Sequence, residues 1–267
     1  MKFLNISLLV SIAFYSCSPH PTLLTNKGIP SVKGRINKLI ADSDLDVSMG
    51  IKVISLEDDK ILYELNSNKL FMPASNNKLY TCAAALHYLG KEHIFKTTIL
   101  KNNNDLILKG GGDPDLTIKQ LDSLANATAK IIKDVDTLYL DATLIDSMYY
   151  GKGWMWDEGS WWYAAPIGAL SVNDNCIDFY IEPGKIGDSA KIDHFPKTQY
   201  ISQTNKTTTV DNNAELKKLK IERDWAGRTN HFTITGEIVN SDSSDTLQRN
   251  IHDPTLFTGT IFKESLT

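Results

Sequence analysis

The 267-residue sequence predicts a mixed α/β (α+β) fold, a helix-and-hairpin segment followed by a large, mostly β region. Three observations point there. Two short apolar runs flank an Asp-Asp-Lys turn and lead into a helical apolar pattern within residues 49–90. From about residue 93 the texture changes to short strand-like runs broken by Asn-, Gly- and Pro-rich turns. A second helical pattern begins at 251–266.

Each element follows from local chemistry. Ile36, Leu39 and Ile40 share one face of a helix over residues 32–41. Residues 49–56 read as a strand, Asp58-Asp59-Lys60 as its turn and residues 61–65 as the return strand of a hairpin. Leu79, Leu86 and Leu89 mark the next helix, which Gly90 terminates. Residues 95–100 and 105–108 read as strands, 121–132 as an amphipathic helix and 137–145 as a buried strand. Further strands are expected at 177–182 and 231–239, and the Thr/Asn/Lys-rich stretch 202–220 reads as exposed.

The N-terminus has a different role. Lys2 precedes an apolar run over residues 3–15, too short to span a bilayer, followed by Ser16-Cys17-Ser18-Pro19. Residues 1–17 therefore read as a signal peptide. Cys17 resembles the acylated cysteine of a bacterial lipobox, with plain secretion as the alternative. Residues 18–30 form a linker, and the mature protein is expected in the periplasm or cell envelope, held to a membrane only through that lipid. Cys82 and Cys176 read as buried thiols rather than a disulfide, and Ala83, Ala84 and Ala85 beside Cys82 suggest close helix packing.

Composition excludes several classes. A net charge of −4 without a Lys/Arg cluster argues against a nucleic-acid partner. The six histidines are scattered, with no His-x-x-x-His or His-Glu-x-x-His pair, so neither metal nor cofactor is expected. Lys109-Gly-Gly-Gly-Asp-Pro lacks a following Gly-Lys-Ser/Thr, which makes it a tight turn rather than a phosphate loop.

Ser75 and Lys78 are the strongest candidates for chemistry. A Ser-x-x-Lys pair at a helix start puts both side chains on one face, about one turn apart. A serine needs a neighbouring base to become a nucleophile, and a desolvated lysine can be that base. The helix N-terminus offers free N–H groups to a developing oxyanion. By itself the tetrapeptide fits an ordinary solvated lysine equally well, so context must decide.

Four blocks supply the context in order: Pro73-Ala-Ser75-Asn-Asn-Lys78, Gly110-Gly-Gly-Asp-Pro-Asp115, Gly153-Trp-Met-Trp-Asp-Glu158, and Tyr163-Ala-Ala-Pro-Ile-Gly-Ala-Leu-Ser-Val-Asn-Asp-Asn175. Together they resemble the D-alanyl-D-alanine carboxypeptidase/endopeptidase family of low-molecular-mass penicillin-binding proteins. The resemblance implies an incomplete serine penicillin-binding/β-lactamase-like transpeptidase domain over residues 31–92, an inserted domain over 93–250 and a return at 251–267. It implies Ser75 as nucleophile, Lys78 as proton acceptor, and Glu158 and Tyr163 as contacts to the substrate's side-chain amine. Asp157 is an alternative acid, and an aromatic core with a solvated rim is the alternative reading of the Trp-rich block. Peptidoglycan stem peptides would be substrates and β-lactams covalent inhibitors.

Ser171-Val-Asn173 spells a Ser-x-Asn triplet, but its neighbours place it in the inserted region, outside the catalytic set. No Lys-Thr-Gly or Lys-Ser-Gly occurs. On that ground the 267 residues read as an N-terminal portion, expected to hydrolyse D-Ala-D-Ala poorly alone, since one lost oxyanion donor costs about 10²–10³ in rate. A non-catalytic, cell-wall-binding lipoprotein is the alternative function, and a β-lactamase-type hydrolase ranks lower because such enzymes lack the insert.

Overall fold

The computed structural model describes residues 29–211 and 216–266. The expected signal peptide and Cys17 lie outside the described residues. The chain divides into two compact units, one ending at Gly90 and one running from Lys91 to Thr267.

The first unit holds helix α1 (Ile29–Asp42), the antiparallel hairpin β1 (Ile51–Ile54) and β2 (Ile61–Leu65), and helix α2 (Asn77–Leu89). This is the order of elements expected from residues 32–90. The Tyr63 hydroxyl donates to Asn37 Oδ1 at 2.7 Å and ties β2 to α1. Gly90 ends α2 with φ +80°, a conformation that costs a glycine little. None of the residues of α2 is buried, and Leu79 and Leu86 are 70% and 63% exposed. The alanines at 83–85 therefore do not mark close packing, and Cys82 is exposed rather than buried.

The second unit is built around three small sheets. The first pairs β3 (Thr98–Asn102), β4 (Asp105–Lys109) and β5 (Leu138–Asp141); β3 is antiparallel and β5 parallel to β4. Helix α3 (Ile118–Ile131) makes the β4–β5 crossover that parallel strands require. A capping box starts it, Thr117 Oγ1 accepting from Gln120 N–H and Gln120 Oε1 from Thr117 N–H. The second sheet is β11 (Asp245–Asn250), β6 (Cys176–Glu182) and β7 (Lys191–Phe195), all antiparallel. The third places β10 (His231–Val239) between parallel β8 (Ser202–Val210) and antiparallel β9 (Lys220–Arg223).

One core fastens these layers. Leu121, Leu170, Phe179, Phe232, Phe257 and Phe262 are each fully buried in it. Phe257 and Phe262 come from helix α4 (Pro254–Leu266), so this terminal helix packs into the second unit, beside α3 and β5.

The stretch 202–220, expected to be exposed, contains a nine-residue strand instead. Its Thr207 and Thr209 are buried because their hydroxyls accept from the N–H groups of Ala190 and Gly184. Threonine is polar in composition but β-branched, and a satisfied hydroxyl lets it serve as a strand residue.

Candidate active site and adjoining cavity

In the first unit, Ser75 lies in a 3₁₀ turn (Ala74–Asn76) that runs straight into α2, and Lys78 lies in the first turn of that helix. Lys78 Nζ donates to Ser75 Oγ at 3.0 Å, and both side chains are exposed. The preceding Ala74 has φ +44°, a left-handed value that a Cβ makes unfavourable. Such strain at a non-glycine residue concentrates at sites whose geometry is over-determined. No side chain caps the helix at Asn76; the N–H groups of Asn76 and Asn77 are taken by the backbone carbonyls of Pro73 and Ala74.

Glu158 and Tyr163 lie in the second unit. A cavity of about 1050 Å³ is lined by Tyr150, Trp154, Glu158, Tyr163, Arg223 and His252, among others. A hydrogen bond to the Glu158 carboxylate raises the Tyr163 hydroxyl above its ordinary value, because an ionised phenol would face a second negative charge. Burial and then the Arg223 and Arg228 charges hold His252 below its ordinary 6.5. The cavity thus has an acidic lip at Glu158 and cationic groups at Arg223 and Arg228.

Three described indoles of this segment are not core residues. Trp154, Trp161 and Trp162 are 42%, 46% and 57% exposed. Arg249 stacks its guanidinium over the Trp161 ring, 4.4 Å from the centroid. A second cavity of about 560 Å³ shares Glu158, Gly159, Arg223, Trp225 and Ala226 with the first and includes Asp157.

The structure therefore pairs Ser75 with Lys78 in one unit, and Glu158 with Tyr163 in the other. Ser171 does neither: its Oγ donates to Gly168 O at 2.9 Å and accepts from Asn175 Nδ2 at 3.0 Å, bonds that hold its own loop. Arg223, Trp225, Arg228 and His252 were not singled out from the sequence. The only local signal was the Asp-Trp-Ala-Gly-Arg turn between two strands, where Asp224 Oδ1 accepts from Gly227 N–H. Among the described residues no group of three or more His, Cys, Asp or Glu side chains could hold a metal ion.

Several known proteins are similar in sequence or fold. The chain is 26% identical to a D-alanyl-D-alanine carboxypeptidase of Actinomadura sp. (strain R39), over 97% of this chain and 51% of that one. It is 30% identical to the D-alanyl-D-alanine carboxypeptidase DacB of Haemophilus influenzae, over 52% of this chain and 32% of the relative. Against these two the chain thus spans about half or less of the relative's length. The crystal structure of penicillin binding protein 4 (dacB) from H. influenzae superposes with a TM-score of 0.67 at 23% identity, over 81% of this chain and 50% of that one. The same protein complexed with a novel β-lactam (CMV) gives 0.63 at 22%, over 87% and 51%. The fold is thus the α+β penicillin-binding fold with an inserted sheet domain. With residues 32–267 matching its sequence profile, the chain belongs to the D-Ala-D-Ala carboxypeptidase 3 (S13) family.

Proposed function

We propose that this chain supplies the nucleophile and part of the recognition surface of a serine-type D-Ala-D-Ala carboxypeptidase/endopeptidase acting on peptidoglycan stem peptides. The observation that carries the proposal is the 3.0 Å contact between Lys78 Nζ and Ser75 Oγ. In its amine form Lys78 takes the hydroxyl proton while Ser75 Oγ attacks the carbonyl carbon before the terminal D-Ala. The carbonyl oxygen becomes the oxyanion, stabilised by N–H donors at the start of α2. Collapse breaks the C–N bond and returns the proton to the leaving D-Ala amine. Water then hydrolyses the Ser75 ester.

A β-lactam presents a strained amide to the same oxygen, which makes it a covalent inhibitor. Glu158, with Tyr163 beside it, receives the ammonium group of the diamino acid in the stem peptide. In the same reading, residues 31–92 form the nucleophile-bearing part and 93–250 the insert. The protein works in the periplasm or cell envelope, anchored by lipid at Cys17.

Labelling with a fluorescent penicillin tests this. The expected result on the 267-residue chain is covalent label, however slow, that disappears in Ser75→Ala. Lys78→Ala should slow it by about 10²–10⁴, the span of general-base assistance. Equal labelling of Ser75→Ala overturns the assignment. Absence of label with retained binding to peptidoglycan sacculi favours a non-catalytic wall-binding protein instead.

A further inference from the structure

The segment that carries Glu158 and Tyr163 has little backbone pairing to hold it. It consists of two 3₁₀ turns, Trp156–Glu158 and Trp162–Ala164, with a single bridge from Trp161 to Arg249. A loop so built would ordinarily vary in shape, and with it the distance between its two functional side chains.

One side chain from β11 replaces the missing ladder. Asn250 is fully buried, and its Nδ2 donates to the carbonyl oxygens of Gly159 (3.1 Å), Trp161 (2.8 Å) and Ala164 (3.1 Å). Its backbone N–H donates to Ser160 O at 2.9 Å. Its Oδ1 accepts from Arg223 Nη2 at 3.2 Å. Arg223, only 5% exposed, also donates from Nη1 to Thr229 O, and its backbone N–H meets Ser160 Oγ at 3.4 Å. The amide and the backbone N–H of this one residue therefore hold Gly159, Ser160, Trp161 and Ala164, in and just beyond the stretch between the two functional residues.

We infer that Asn250, backed by Arg223, is a positioning residue that fixes the spacing of Glu158 and Tyr163 and so the selectivity of the cavity for a ligand ammonium group. The inference rests on the proposed role of Glu158. Its physical basis is that no other side chain of similar size carries two donors and an acceptor in this arrangement. Removing the donors leaves three carbonyls, partly or fully shielded from water, without that partner, and each then carries a desolvation cost. The segment then relaxes toward water, and the carboxylate moves with it.

Asn250→Asp separates the two bonding roles. The carboxylate keeps an acceptor for Arg223 but turns an acceptor toward the three carbonyls. The full 267-residue chain, wild type and variant, is compared in two measurements, with a melting curve to establish that each is folded. Asn250→Ser, which removes the donors without adding charge, serves if the Asp variant does not fold.

The first measurement is amide hydrogen exchange. Exchange over 158–165 should rise roughly 10- to 30-fold in the variant, for one to two net hydrogen bonds lost, while β6 and β10 stay unchanged. The second is a tryptophan-fluorescence titration with a tripeptide ending in a diamino acid, as the free amine and as its N-acetyl form. Trp154 and Trp225 line the cavity and report occupancy. The wild type should prefer the free amine, and the variant should lose most of that preference.

Unchanged exchange over 158–165, or a rise spread evenly through every strand, overturns the inference. So does a local rise in exchange with the amine preference intact. If the wild type itself shows no amine preference while the local rise occurs, the Glu158 reading fails and the holding role of Asn250 stands.

Discussion

Gly110→Ala is expected to be among the most damaging single-methyl additions in this chain. Gly110 closes β4 and opens the Gly-Gly-Gly-Asp-Pro-Asp block. A Cβ there would lie 2.2 Å from Ala169 O, 2.5 Å from Ala169 C and 2.8 Å from Leu170 N. Ordinary contact begins near 3.4 Å, so the two backbones must part by about 1.2 Å. Neither side yields easily. Gly110 N–H is held by Asp141 O at 2.9 Å, Gly112 N–H by Ala169 O at 3.0 Å, and Leu170 is fully buried in the core. Overpacking of this kind costs about 1–3 kcal/mol, and the absence of a flexible side chain to absorb it puts the variant at the upper end, about 3 kcal/mol. For a unit of this size each kcal/mol lowers Tm by about 2–4 °C, which gives a drop of about 6–12 °C. Differential scanning calorimetry on the purified chain measures it. A Tm within 1 °C of wild type would refute the argument that these two sequence blocks meet backbone to backbone.

The titration of two histidines sets a pH slope. His194 and His252 are both held below their ordinary 6.5, chiefly by burial. The unfolded chain therefore takes up protons first as pH falls through 6.5, and stability present above that value declines below it. Tm should fall between pH 7.5 and 5, and the slope should flatten in a His194→Asn, His252→Asn double variant; a flat wild-type profile counts against it. Burial pushes the Cys176 thiol up to about 12, whereas Cys82 is exposed. Alkylation at pH 8, mapped by mass spectrometry, should modify Cys82 and spare Cys176 until the chain is denatured. Equal labelling of the two would contradict the burial.

Much of the local order was legible because periodicity and punctuation agree. The hairpin flanking Asp58–Lys60, the helix stop at Gly90 and the Ser75–Lys78 contact all follow from short-range rules, and short-range rules are what a single sequence carries best. What escaped depends on distant partners. β8 is hidden by its threonines, whose hydroxyls are satisfied by Ala190 and Gly184 far along the chain. β7 and β11 are short and charged, and only pairing with β6 makes them strands. The glycines at 110 and 111 read as a turn, yet each serves a close approach of backbone, to Ala169 and to Lys96. Asn250 carries no local signal at all, because its three acceptors lie 86 to 91 residues earlier. The exposed face of α2 was missed for the opposite reason: apolar spacing says which face wants a partner, not whether one is at hand.

That bare face bears on how the proposed nucleophile behaves. A helix of 13 residues with no buried side chain sits at the length where isolated helices are only marginal in water, about 12–15 residues. Its persistence is therefore borrowed from whatever shields it, and it belongs to the class of segments that open first on warming. The larger unit, with its phenylalanine-filled interior, would outlast it. Gentle heat should thus silence Ser75 well before calorimetry registers the main transition, leaving a folded body with a melted trigger.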